Sequence, residues 1–448
     1  MGEGVAHLTS HIEANCANAP SGAIVIADDA IHQLAAYARE NCWRNALLVM
    51  DPNTEAAAGT RVAAELTAAG IRPEVLRFAE RSGLKADDRA VAAVRGRLGT
   101  AGPDALIAVG SGVVTDIVRY AAHLADRDFV SVPTAASMDG YASGVAALER
   151  DGVKVTYPAR PPRAIFAEAT VLAAAPSDLT RAGLGDLLAK ATAGVDWLAA
   201  HLLYGEPYHD EAARWVAGPM SFAAGHVDDI LRGEPEAVRG LALGLIESGI
   251  AMAIAGSSRP ASGSEHHVSH FWDLQAARGR RRPAAHGLQV GYASRFAMRL
   301  QRFAFGGGVT RLAPPRPGGG LDAAARAWLG EPGPDLLAAV AEKRRLIAAG
   351  GECWPRREVA WARVRDRLAP ALEAFPGVGR ALEAAGIPAA PGFLDVDPGL
   401  LRASLRYANR LRDRYTVIDF LEGQGALDEA IEAAVEPPLT SDRGRGGG

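Results

Sequence analysis

The run Ala105-Leu-Ile-Ala-Val-Gly-Ser-Gly-Val-Val-Thr-Asp-Ile117 decides the architecture. Five apolar residues without alternation predict a strand buried on both faces, Gly110-Ser111-Gly112 a tight turn, and Val113 to Leu124 a helix. A buried strand feeding straight into a helix is the repeating unit of a parallel sheet. The unpaired amides at such a helix start, reinforced by the helix dipole, suit a pyrophosphate. Gly110, Ser111, Gly112, Val113 and Val114 are therefore candidate dinucleotide contacts. The spacing is not Gly-x-Gly-x-x-Gly, and an ordinary strand–helix turn accounts for the same residues.

Working outward, strands are predicted at Ala23–Ala27, Ala46–Met50, Glu74–Phe78 and Phe129–Val132. Helices are predicted at Ile31–Glu40, Ala56–Ala69 and Asp88–Arg97. The expectation is an α/β nucleotide-binding domain over residues 21–174. Past Pro176 strand signals vanish, and residues 175–436 read as an all-helical metal- and substrate-binding domain, clearest at Leu187–Leu203 and Glu236–Ala255. Gly306–Gly320 and Pro388–Pro398 read as loops, residues 1–20 as an extension and 437–448 as a disordered tail. A ligand belongs at the strand C-termini, facing the helical half. Asp51 stands just past a strand end, where a carboxylate binds a ribose 2′-hydroxyl or caps a turn.

Composition excludes several classes. The net charge of −4 shows no basic excess for nucleic acid or a membrane surface, and Arg280–Arg282 reads as a solvated loop. Three scattered cysteines support neither a disulfide framework nor a thiolate zinc site. Residues 1–19 lack the apolar core of a signal peptide, and no run of roughly 18 apolar residues is present. These features predict a cytoplasmic protein without a membrane span.

The remaining signal is a histidine cluster. His266, His267 and His270 fall within five residues, and His286 opens a second segment. His266 and His270, four apart, share a helix face. Asp186, among small and apolar residues in Ala182-Gly-Leu-Gly-Asp-Leu-Leu-Ala-Lys190, is the carboxylate to join them. A helix N-cap is the alternative for it. One carboxylate with two imidazoles makes a divalent site with open positions for a substrate oxygen.

Together, Gly110–Asp116, Ser131–Ser143, Ala182–Lys190, Ser258–His267 and His286–Gly291 resemble the sn-glycerol-1-phosphate dehydrogenases, bacterial branch. That family sits in the superfamily of iron-type alcohol dehydrogenases, glycerol dehydrogenases and dehydroquinate synthases. The resemblance covers residues 20 to 300 and thins beyond. It implies a dehydroquinate synthase-like fold and NAD(P)H-linked reduction of dihydroxyacetone phosphate to sn-glycerol 1-phosphate. NAD is the expected cofactor, with NADP as an alternate, and zinc or nickel the expected metal. Asp51, Gly110 to Val114, Thr134, Ser137 and Ser143 would hold the dinucleotide, and Asp186, His266 and His286 the metal. Asp139 would bind substrate and His270 face it. Only His266 keeps the four-residue spacing to His270, which selects it over His267. Arg259 is a candidate phosphate contact, with capping or ion pairing as its alternative. A homodimer is expected. Ser111 and Val113 depart from the superfamily's Gly-Gly-Gly-Ser turn, which predicts weaker pyrophosphate geometry. The rivals are a dehydroquinate synthase-like cyclase, for which Glu is expected at Asp186, a glycerol dehydrogenase acting on an unphosphorylated polyol, and a non-catalytic binding protein.

Overall fold

The computed structural model describes residues 22–99, 102–150, 153–314, 320–331, 333–351 and 354–436. The expected extension and tail lie outside the described residues. Six strands form one parallel sheet: β1 (Ile24–Ala27), β2 (Asn45–Met50), β3 (Arg72–Arg77), β4 (Ala105–Val109), β5 (Phe129–Val132) and β8 (Ala164–Glu168). Their order is β1-β8-β5-β4-β2-β3. β2 shows why the central strands are apolar throughout. Leu47 and Val49 pack under the helices Asp88–Gly96 and Gly112–Leu124, while Ala46, Leu48 and Met50 pack under Ala30–Glu40 and Thr60–Ala68. Among the described residues β3 is the exposed edge, where Pro73 is tolerated because no further strand needs its missing N–H.

Two strand features were absent from the sequence reading. β8 inserts between β1 and β5, and an antiparallel hairpin of β6 (Val145–Arg150) and β7 (Val153–Pro158) stands outside the sheet.

From Ser177 onward the described chain is helical. The helix expected over Leu187–Leu203 is two, Ser177–Leu188 and Lys190–Tyr204, joined at Ala189. Pro235–Ala255 is long and apolar enough on average to cross a membrane, although Glu236, Arg239 and Glu247 interrupt any continuous apolar run. Two-thirds of its apolar window is buried among neighbouring helices, so it is a core helix. The Arg280–Arg282 run is not freely solvated either. Arg281 is buried against Gln289 and the Leu394 carbonyl, Arg282 pairs with Asp395, and Arg280 bonds Gln275.

Connections leave β2 toward β3 and β4 toward β5, in opposite directions. The crevice at their C-terminal ends is the switch point where open α/β sheets bind ligands.

Candidate active site

At the switch point the chain turns at Gly110. Its amide donates to the Val132 carbonyl (3.0 Å), and its carbonyl accepts from Thr134 (3.3 Å), tying this turn to the loop after β5. Glycine is needed here for packing, since a Cβ would stand 2.7 Å from that of Val114. At Gly112 a Cβ would meet nothing closer than the Met138 side chain at 3.5 Å, so that side of the backbone is open to a ligand. Ser111 begins the helix Gly112–Leu124 but gives it no side-chain cap, leaving the first-turn amides for an anion. Val113, 40% exposed, lines that open side. Asp51 adopts the cap alternative: one carboxylate oxygen, Oδ1, accepts the amides of Asn53 (2.8 Å) and Thr54 (2.9 Å).

The loop after β5 is gripped by Arg119, which the sequence reading missed. Fully buried, Arg119 pairs with Asp116 (2.8 Å) and donates to the carbonyls of Gly140, Tyr141 (2.9 Å) and Val145 (3.0 Å). The Ser143 hydroxyl donates to the Gly140 (3.2 Å) and Val145 (3.1 Å) carbonyls. Thr134 and Ser137 are buried in the same loop. The Asp116/Arg119 spacing of three on one helix was the only available signal.

The second wall depends on helices that touch through glycine. A Cβ at Gly183 would lie 1.9 Å from the Ala136 oxygen, and one at Gly287 would lie 1.9 Å from the Ala182 oxygen. This close packing sets Ser177–Leu188 against both the Asp139 loop and the helix His286–Gly306. Asp186 therefore lies fully buried near the end of its helix, and is not an N-cap. Its oxygens accept from Lys190 Nζ (2.8 Å) and the Asp139 amide (3.1 Å).

Ligand atoms of Asp186, His266 and His286 lie within 4.8 Å of one another, the only such group among the described residues. His266 Nδ1 bonds the buried Glu265 carboxylate (2.9 Å), which also accepts the Gly263 amide (2.6 Å) and the Thr192 hydroxyl (2.8 Å). Such a carboxylate partner fixes ring orientation for a metal ligand. Burial, then Lys190 and His286, push the His266 pKa well below the ordinary value, so the ring is neutral as ligation requires. A small divalent cation fits this set: three N/O donors, one charge, and room for another ligand. His267 is outside it, its ring nitrogens without hydrogen bonds among the described residues.

Lys190, named from sequence only as local polarity, joins the two carboxylates Asp139 and Asp186. Fully buried, it also pairs with Asp139 (2.7 Å) and donates to the Ala261 carbonyl (3.1 Å). Burial opposes its charge, but Asp139 and Asp186 outweigh that and hold its pKa above the ordinary lysine value. Ser248 donates to the same Asp139 oxygen (3.2 Å). His270 lies beside the carboxylate–histidine cluster, its ring centre 6.0 Å from that of His286 and tilted 33° to it. Its Nδ1 accepts from Arg412 (3.2 Å), which leaves Nε2 carrying the proton in the neutral ring. Arg259 follows its ion-pair alternative. It binds Glu206 and the Tyr415 carbonyl and does not line the cleft, so it is not placed to contact a substrate phosphate.

One cleft of about 410 Å³ joins these parts. Ser111, Gly112, Val113, Ser137, Asp139 and Ser143 line it, together with His266, His270 and His286. Asp51, Gly110, Val114, Thr134 and Asp186 are not among its lining residues.

The pattern of iron-containing alcohol dehydrogenases matches residues 25–176. A glycerol-1-phosphate dehydrogenase (NAD(P)+) of Geobacillus thermodenitrificans is 33% identical over 402 residues, covering 88% of this chain and 91% of that protein. One of Pyrococcus furiosus is 42% identical over 185 residues, 41% of this chain and 52% of its own length. A solved structure of a probable glycerol dehydrogenase from Sinorhizobium meliloti shares the fold, with a TM-score of 0.62 at 18% identity, covering 93% of this chain and 97% of its own. The long bacterial match spans both the nucleotide crevice and the helical half that carries the carboxylate–histidine cluster, and on it the chain belongs to the glycerol-1-phosphate dehydrogenase family.

Proposed function

We propose that this protein reduces dihydroxyacetone phosphate to sn-glycerol 1-phosphate with a reduced nicotinamide dinucleotide. The observation that carries the reading is the Asp186, His266 and His286 cluster opening onto the same cleft as the glycine turn. When bound, a divalent cation such as zinc or nickel supplies Lewis-acid polarisation of the ketone, and the nicotinamide supplies the hydride. The chain's own residues do the rest. The amides after Ser111 take the pyrophosphate, and the loop held by Arg119 walls the cleft. Asp139, fixed by Lys190 and Ser248, accepts a hydrogen bond from the substrate hydroxyl. His270, with its proton on Nε2, donates to the developing alkoxide, a role worth about 10²–10⁴ in rate.

Metal content and NADH oxidation test this together. His266→Ala and His286→Ala should lose both metal and turnover, whereas His267→Ala should keep its metal. Metal loss from His267→Ala with retention in His266→Ala would overturn the assignment. Equal rates with dihydroxyacetone and its phosphate would move the protein toward the polyol dehydrogenases.

A further inference from the structure

The other lysine and arginine side chains that line the cleft each have a carboxylate, as do Lys190 and Arg259 beside it. Lys190 has Asp139 and Asp186, Arg119 has Asp116, Arg259 has Glu206 and Lys85 has Glu149. Arg412 and Arg414 line the same cleft and have none among the described residues. Arg412 donates to the Thr156 hydroxyl (3.1 Å) and to His270 Nδ1 (3.2 Å). Arg414 donates to the Ser258 hydroxyl (2.6 Å) and the Ser262 carbonyl. These four partners are neutral, and Asp413 between the two arginines is exposed. Burial, then the neighbouring Arg259 and Arg412 guanidiniums, lower the pKa of Arg414, and Asp413 and Glu265 offset this only in part. Two half-buried guanidiniums side by side are costly unless an anion joins them. Their forked N–H groups match a phosphate's oxygens.

We infer that Arg412 and Arg414 form the subsite that binds the phosphate of the substrate. This rests on the proposed phosphorylated ketone and adds to it which residues select that substrate. The subsite reaches the reaction through Arg412, which touches both the anion's position and His270. The same chemistry could serve a cofactor phosphate. The contact to His270, beside the metal-ligand cluster, favours the substrate.

The test is the ratio of kcat/KM for dihydroxyacetone phosphate to that for dihydroxyacetone. Arg412→Ala and Arg414→Ala should each reduce this ratio about ten- to a hundredfold, the usual loss for one charged hydrogen-bonding partner. Arg412→Lys and Arg414→Lys, which keep the charge and protect folding, should give intermediate ratios because a point charge lacks the fork. Inorganic phosphate should inhibit the unmodified enzyme competitively against dihydroxyacetone phosphate, and inhibit Arg414→Ala more weakly. If the unmodified enzyme shows no preference for the phosphorylated ketone, the functional reading falls. If it does and the four variants keep that preference, the subsite assignment alone falls. A raised KM for NADH with an unchanged ratio would reassign the arginines to the cofactor.

Discussion

Asp51 shows how one residue can satisfy two readings. Its Oδ1 carries both cap bonds, and Oδ2 carries none among the described residues. A ribose hydroxyl can therefore use Oδ2 without uncapping the helix, whereas a 2′-phosphate would meet a carboxylate. NADH should be favoured over NADPH. Arg61 cannot relieve the repulsion because it is paired with Glu168. Asp51→Ser keeps a good N-cap while removing the charge, so the preference should narrow about tenfold in kcat/KM. Equal use of both cofactors by the unmodified protein would refute the argument. At this scale the carboxylate–histidine cluster was legible, because unusual residue types recur at helical spacing. Arg412 and Arg414 were not: an arginine 142 positions from His270 in an arginine-rich stretch carries no local mark of its neighbour.

Among elements, the junction of Ser177–Leu188 with His286–Gly306 positions Asp186 and His286, and it tolerates no side chain at Gly287. Gly287→Ala would force a Cβ to 1.9 Å from a backbone oxygen, so the helices must separate. We expect a loss of about 1–3 kcal/mol in stability, from denaturant unfolding, and weaker metal retention. Full retention of both would show that the junction relaxes freely. The glycines were visible in the sequence, but their partners were not. The β6–β7 hairpin carried a signal that went unread, Asp151-Gly152 between two alternating runs. β8 is five residues long and runs directly into a helix, too short for its apolar run to be separated from helical pattern.

For the molecule as a whole, stability should depend on pH through Glu247. This half-buried carboxylate on Pro235–Ala255 has no ion pair or hydrogen bond among the described residues, and burial raises its pKa from 4.5 to about 7. Near neutrality the folded protein thus keeps a proton that the unfolded chain has released. Stability falls as pH rises from about 4.5 to 7, and the deficit persists above. Glu247→Gln should raise stability by about 1–2 kcal/mol at pH 8 and leave it unchanged near pH 4.5, read from unfolding at both values. A gain independent of pH would point to another cause. The sheet, too, has a whole-chain dependence. Among the described residues β1 pairs only with β8, and Glu168 at the end of β8 accepts the Ile31 amide from 137 positions away. During synthesis at about 5–20 residues per second, β1 must wait roughly 7–28 seconds for its partner to be made. Through that interval the nascent chain offers an open apolar strand, so the ribosome-bound protein, rather than the finished enzyme, is where chaperone capture and aggregation should concentrate.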